Sequence, residues 1–392
     1  MQTSRKRRAY DDIYAVAPVS LPYQRYSTKA TQWWIGGTLR ELSRASGISH
    51  KQFDGLSLAS FTLAPDPAVA MTQHFGMTTR WIDSLALGGA SGVAGIRRAA
   101  RAIEAGDVDI VACIGADTNY TDTFRQLLAG FSRFSQDAVY PHGAGGANAS
   151  FAHLTAHYMA KYGVERESFG RICVSQRDNA LKNPRAVMKK PLTLEAYLAA
   201  RPIAEPIGLF DCVMPVAGAE GFLLMRGETM RAHGLTGARL LSSIERHNAF
   251  PEDPVQYRGG WALDVDELYG MAGVEPGDID VLQTYDDYPV IVMMQFEDLG
   301  FCAKGEGAAF VAKHDLTIGG SFPHNTTGGQ LSAGQAGAAG GHLGIVETIR
   351  QVTGTAGPTQ VENAKLGMAS GFGMINYDRG LASGAVIFAG DR

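Results

Sequence analysis

Short apolar runs rich in β-forming residues alternate with amphipathic helical patterns along the whole chain. "IYAVAP" is followed by a helical pattern from Thr31 to Ser46, "GLSLAS" by the run that starts at Leu85, and a further helix by "DIVACIGAD". Strands kept apart by helices pair as parallel or mixed sheets with helices over their faces, so the chain reads as α/β. Its 392 residues, 45% of them apolar and 19% charged, suit two domains or one large domain built from similar halves.

A second signal supports the halves. "LALGGASGVAGIRRAARAIEAG" runs from an apolar stretch through a glycine pair into a helix. Val93, Ile96, Ala99, Ala100 and Ile103 face one side, Arg97, Arg98, Arg101 and Glu104 the other, and Gly106 ends it. "GGQLSAGQAGAAGGHLGIVETIRQVTG" has the same form in the second half, followed by "AKLGMASGFGMINY". Units of this kind half a chain apart point to duplication of a domain. The expected halves are residues 1–235 and 236–392, joined near Ala232 to Thr236, with an insertion over about 117–215. The insertion holds "AVYPHGAGGAN" and "ALKNPRAVMKKP", long loops of the sort that cover a site or meet another subunit.

Several classes are excluded by composition. A net charge of −4 gives no basic field for nucleic acid, and the run Arg5 to Arg8 reads as a solvated tail. Neither a long apolar span nor the apolar core of a signal peptide is present, so the expected compartment is the cytoplasm, away from membranes. Cys113, Cys173, Cys212 and Cys302 lie far apart with no CxxC pair, which leaves them as reduced thiols.

Isolated motifs are weak. "GGASGV" has Val93 where a nucleophile elbow needs glycine, so Ser91 reads as a helix-start residue. His153 and His157 share a helix face, but Leu154 stands where a zincin has glutamate, and no metal site is expected. "GAGGAN" is only loosely like a dinucleotide loop. "LQTYDDYPVIVMMQFEDLGFC" says more: a strand end delivers Tyr285, Asp286, Asp287 and Tyr288 to a turn, with Pro289 opening a helix. The end of a strand is where α/β sheets gather a site, yet a tyrosine there can equally cap packing with its hydroxyl in water.

Taken as a linked series, these segments resemble the thiolase superfamily, and within it proteins related to the thiolase domain of sterol carrier protein x. "GGASGVAGIRRAARAIEAGDVDIVACIGAD" resembles the nucleophile loop and helix, "KNPRAVMKKPLT" and "IGLFDCVMPVAGAEGFLL" the middle segment. "YDDYPVIVMMQFEDLGFC" resembles the His-Asp-Cys-Phe block and "NTTGGQLSAGQAGAAGG" the glycine-rich segment that carries Gly-His-Pro. The resemblance implies two βαβαβαββ halves in an αβαβα layering, a homodimer, and a coenzyme A thioester as substrate with no other cofactor. It places the family's nucleophilic cysteine at Gly89, the Gly-His-Pro histidine at Gln335, the third block's histidine or asparagine at Tyr285, and the last cysteine or histidine near Ser370.

Claisen chemistry needs a thiolate and an imidazole, and neither stands at those positions. What remains is a set of glycine-loop amides able to hold a thioester oxygen as an enolate forms. Some members without the cysteine act as aldolases on steroid side-chain CoA esters, with one tyrosine in the "YD" block and another in place of the Gly-His-Pro histidine, beside a small OB-fold partner that binds acyl-CoA. The resemblance therefore implies retro-aldol cleavage of a 3-hydroxyacyl-CoA. The expected catalytic residues are Tyr285, Asp286 and Gln335, and the expected substrate contacts are Gly89, Ser91, His324, Ser370, Gly371 and Gly373. Gln335 can orient but not exchange protons, which leaves the second proton carrier open among Asp286, Asp287, His324 and His342. A non-catalytic acyl-CoA-binding subunit and an acyltransferase are the alternatives.

Overall fold

The computed structural model describes residues 8–120, 136–144, 146–376 and 378–391. Of the basic run, Arg5 to Arg7 lie outside the described residues, as do residues 121–135 of the expected insertion. Arg8 is described and reaches Glu104 at 3.4 Å.

Among the described residues nine strands share one sheet: β1 (Ile13–Gln24), β2 (Gly55–Ala59), β3 (Trp81–Leu85), β4 (Ile110–Asp117), β5 (Ala217–Arg226), β6 (Gly237–His247), β7 (Val281–Gln283), β8 (Leu366–Ile375) and β9 (Gly380–Gly390). Their order is β3-β2-β4-β5-β1-β6-β9-β8-β7. Both ends follow one rule. The first strand pairs antiparallel with the last, β1 with β5 and β6 with β9. The last strand pairs antiparallel with the one before it, β5 with β4 and β9 with β8. That strand pairs parallel with a predecessor, β4 with β2 and β8 with β7. The pairs Tyr14–Arg239, Ala15–Ala238 and Val16–Gly237 join the two sets.

A parallel pair needs a crossover, and helices α3 (Ser91–Ala105) and α8 (Gly340–Thr353) lie on these connections. Each touches strands of both sets, so together they form the central layer. Helices α1 (Thr31–Ser46) and α2 (Ala68–Phe75) cover one outer face, α6 (Trp261–Ala272) and α7 (Pro289–Asp298) the other. The α/β thiolase layering follows, and the three largest apolar clusters fill the spaces between layers. Alternation along β8 sets the division: Met368 and Phe372 join the outer cluster, while Ala369 joins the central one with Val93, Ile96 and Ile345.

Helix α3 forms as its pattern dictates. Val93, Ile96, Ala99, Ala100 and Ile103 are buried, and Gly106 ends the helix in the left-handed conformation at φ 80°. Arg97 and Arg98 turn outward to Glu245, with Arg98 Nη2 3.0 Å from Oε1. Between β4 and β5 the described chain forms α4 (Gly146–Tyr162), α5 (Arg166–Lys182) and a ribbon of Pro202–Ala204 with Ile207–Gly208. Residues Ala232 to Thr236 lie between the short helix Gly227–Ala232 and β6. No helix among the described residues is long and apolar enough to cross a membrane.

Candidate active site

The starts of α3 and α8 meet strand β8 backbone to backbone, and glycine makes this approach possible. A Cβ on Gly373 would lie 2.0 Å from the Leu87 carbonyl, one on Gly341 2.5 Å from the Gly89 carbonyl, and one on Gly371 2.8 Å from that same oxygen. Side chains at these positions would force the layers apart, so the glycines Gly341 of "GGHLG" and Gly371 and Gly373 of "SGFG" are required by contact. Ser91 is fully buried and its Oγ accepts from Leu87 N at 3.1 Å, closing the turn rather than facing open space.

In front of this turn lies a cavity of about 590 Å³, and Gly88, Gly89, Tyr285, Asp287, Gln335 and Gly373 line it. Much of the remaining lining is apolar, from Phe61, Ala147, Phe151, Val213, Phe372 and Met374. Strand β7 ends at Gln283 and delivers Tyr285 there, and Pro289 opens α7 directly after Tyr288. The ring of Tyr285 occupies the volume in front of Gly89: a Cβ on Gly89 would lie 2.0 Å from Tyr285 Cε2.

Both ends of Tyr285 are held. Gln335 Nε2 donates to its hydroxyl at 3.1 Å, and Gln295 Nε2 donates to its carbonyl at 2.7 Å. Gln335 is fixed in turn by its backbone, donating to Met214 O and accepting from Val216 N, each at 2.9 Å. Burial drives the phenol well above its ordinary pKa, with the Asp287 carboxylate adding to the rise and the Gln335 amide opposing it. Tyr285 is therefore a phenol at neutral pH.

The other expected residues are distributed unevenly. Of the substrate contacts, Gly89 and Gly373 line the cavity; Ser91, His324, Ser370 and Gly371 do not. Ser370 Oγ donates to Gln295 Oε1 at 2.5 Å, so it reaches Tyr285 only through that amide. Asp286 points away from the cavity: Oδ1 accepts from Gln330 N at 2.9 Å and Oδ2 from Leu331 N at 3.3 Å. Burial raises its pKa to about 7 against those amides. His324 is fully buried, with Nε2 2.8 Å from Thr284 Oγ1, and burial lowers its pKa to about 3. His342 packs over Gly115 and is lowered by burial to about 4. Both imidazoles are neutral at pH 7 and neither faces the cavity.

Two features were not picked out by sequence. Asn148, from the "GAGGAN" loop, lines the cavity and accepts from Tyr288 Oη at 2.5 Å, while Tyr288 stacks on Phe151 with ring centres 3.9 Å apart. Tyr140, Gly146, Ala147 and Asn148 from this segment wall the cavity. Cys212 also lines the cavity, with Sγ 3.7 Å from Asn148 Oδ1 and a thiol pushed by burial up to about 12. Among the described residues no group of His, Cys, Asp and Glu is arranged to hold a metal ion.

This fold and site define a thiolase-type protein with a phenol in front of the nucleophile turn and no sulfur on that turn. Residues 253–382 match the thiolase C-terminal domain-like family. The chain is 30% identical over 329 residues to a steroid side-chain-cleaving aldolase of Thermomonospora curvata, covering 79% of this chain and 82% of that one. It is also 30% identical over 331 residues to a 17-hydroxy-3-oxo-4-pregnene-20-carboxyl-CoA lyase of Mycobacterium tuberculosis, covering 79% and 83%. A solved Ltp2-ChsH2(DUF35) aldolase superimposes with a TM-score of 0.85 at 24% identity, over 97% of this chain and 98% of that one. The chain belongs to the thiolase superfamily, in its sterol-carrier-protein-x-like aldolase subgroup.

Proposed function

We propose that the protein cleaves the Cα–Cβ bond of a 3-hydroxyacyl-CoA by a retro-aldol route, releasing a ketone or aldehyde and a shorter acyl-CoA. The observation that carries this reading is the Tyr285 phenol, hydrogen-bonded by Gln335, in the place of a nucleophile's side chain and facing an open cavity. Retro-aldol cleavage needs no acyl-enzyme. It needs a base for the hydroxyl, donors for the enolate oxygen and an acid for the α-carbon. Tyr285 is the acid, and the amides of Gly88 and Gly89, which line the cavity, are the donors, the Ala90 amide being bonded to the Leu87 carbonyl.

A subunit that only bound acyl-CoA would not need the space in front of the phenol, which is open. Acyl transfer through cysteine lacks an activated thiol: burial raises Cys113 and Cys173, and holds Cys212 and Cys302 at about 12. The apolar part of the cavity lining suits a bulky hydrocarbon, and the names of the two aligned relatives point to a steroid side chain as acyl group. The protein acts on this reading as a cytoplasmic homodimer, the state its family resemblance implies. It works with a small OB-fold acyl-CoA-binding partner, as the two-part name of the superimposed aldolase suggests.

The test offers the purified protein, with and without such a partner, a 3-hydroxyacyl-CoA with a tertiary hydroxyl and assays for ketone. Ketone formation that depends on Tyr285 supports the reading. No ketone under either condition overturns it.

A further inference from the structure

Gln335 cannot carry a proton, so a retro-aldol site built on Tyr285 lacks a base for the substrate hydroxyl. Three of the four candidates are elsewhere: Asp286 is committed to the amides of Gln330 and Leu331, and His324 and His342 are buried off the cavity. Asp287 is different. It lines the same cavity as Tyr285, Gln335 and Gly89, and its buried Oδ1 has no hydrogen-bond partner among the described residues. A shielded carboxylate oxygen without a donor is costly unless something supplies one, and a substrate hydroxyl is a donor. We propose that Asp287 is the general base that removes the proton from the substrate's 3-hydroxyl.

This assignment rests on the aldolase reading and completes its proton balance. Asp287 takes the hydroxyl proton, and the O–H electron pair becomes the second bond of the ketone carbonyl. The Cα–Cβ pair passes into the thioester as an enolate. Tyr285 gives its phenolic proton to Cα, leaving a phenolate beside a carboxylic acid. Asp287 then returns the proton it took to Tyr285, and the site is reset without outside acid or base. Both side chains line the same cavity, so the proton returns across that space. Burial, and after it the neighbouring Asp286 carboxylate, raise the Asp287 pKa well above the ordinary carboxylate range, which makes its carboxylate more basic than an exposed one. The adjacent "DD" thus divides its labour: Asp286 positions, Asp287 reacts.

The experiment compares wild type, Asp287→Asn and Asp287→Ala on the same 3-hydroxyacyl-CoA, with acyl-CoA affinity and thermal unfolding measured on each. The expected result is a fall in kcat of about 100-fold or more for Asp287→Asn with affinity little changed, the usual scale for a lost general base. Formate added to Asp287→Ala is expected to restore turnover in a saturable way, which a merely structural role would not allow. Should Asp287→Asn fail to fold, the formate titration of Asp287→Ala decides. Wild-type cleavage with full turnover in Asp287→Asn, or a folded Asp287→Ala that formate does not rescue, overturns this assignment and leaves the aldolase reading intact. No cleavage by wild type overturns both.

Discussion

The ring of Tyr285 and a side chain at position 89 cannot coexist: a Cβ on Gly89 would lie 2.0 Å from Tyr285 Cε2 and 2.2 Å from Cζ. Loss of the nucleophile and arrival of the phenol are therefore one structural change. Restoring the thiol alone should not restore thiolase chemistry, because Gly89→Cys must displace the phenol and also meets the Phe372 carbonyl, 2.4 Å from the same Cβ. We expect Gly89→Cys to be destabilised by about 1–3 kcal/mol, as overpacked sites are, and inactive in both thiolysis and aldol cleavage. Urea unfolding and the two assays check this.

Tyr285→Phe keeps the buried ring and removes only the hydroxyl. Its kcat should drop by about 100-fold or more while its melting temperature stays close to wild type. Gln335→Leu should act more mildly. The Gln335 amide lowers the phenol pKa, so its loss raises that pKa further and moves the alkaline limb of the kcat profile upward. A hydrogen bond to a charged group contributes about 1.5–3 kcal/mol, which sets a roughly tenfold to hundredfold loss for Gln335→Leu.

Much of the layering was legible because it depends on periodicity: the apolar stripe of α3, its glycine stop and its counterpart in the second half are all patterns in the chain. Tyr285 could be placed at a strand end by the same logic. The orientation of its neighbours could not. Asp286 and Asp287 are adjacent in sequence and chemically identical, and only the position of the Gln330 and Leu331 amides decides which one is tied up. Likewise, no local pattern says that Asn148 meets Tyr288, residues 140 apart in the chain. Such contacts depend on how layers stack, which no single segment encodes.

Cys212 is a cavity thiol without a thiolate. Its pKa of about 12 leaves almost none of it ionised at neutral pH, and its contacts are Asn148 Oδ1 and Gly208 O. Cys212→Ser should retain aldol turnover within a factor of about 3, and iodoacetamide should inactivate wild type only slowly at pH 7. Rapid inactivation that acyl-CoA prevents would return sulfur to the mechanism.

Acid stability is linked to the buried histidines. The pKa of His324 falls from 6.5 to about 3 on folding, so the unfolded chain binds the proton that the native chain refuses. Its contribution is present above pH 6.5 and is lost as pH falls toward 3. Relative to His324→Gln, wild type should lose about 1.4 kcal/mol per pH unit across that window. Asp286, whose pKa rises to about 7, acts in the opposite sense, so the comparison with His324→Gln is needed to isolate the imidazole.

Asp117 ties the Ser60–Thr62 segment to Ala338 at the cavity wall, and its two oxygens have distinct tasks. Oδ1 accepts from Ser60 Oγ, Phe61 N, Thr62 N and Thr62 Oγ1, all within 2.9 Å. Oδ2 accepts from Ala338 N at 2.6 Å, next to Gly337. Phe61 and Gly337 both line the cavity, so this buried carboxylate fixes two adjoining parts of its wall to one another. Asp117→Asn cannot satisfy both sets, because one face of the amide is a donor and would confront a donor. The cost should be about 1–3 kcal/mol in stability, the penalty for a buried group left unpaired. Acyl-CoA affinity should weaken together with stability, since the walls lose their tie. Calorimetric titration of wild type and Asp117→Asn checks both, and unchanged affinity in a destabilised variant would confine Asp117 to folding.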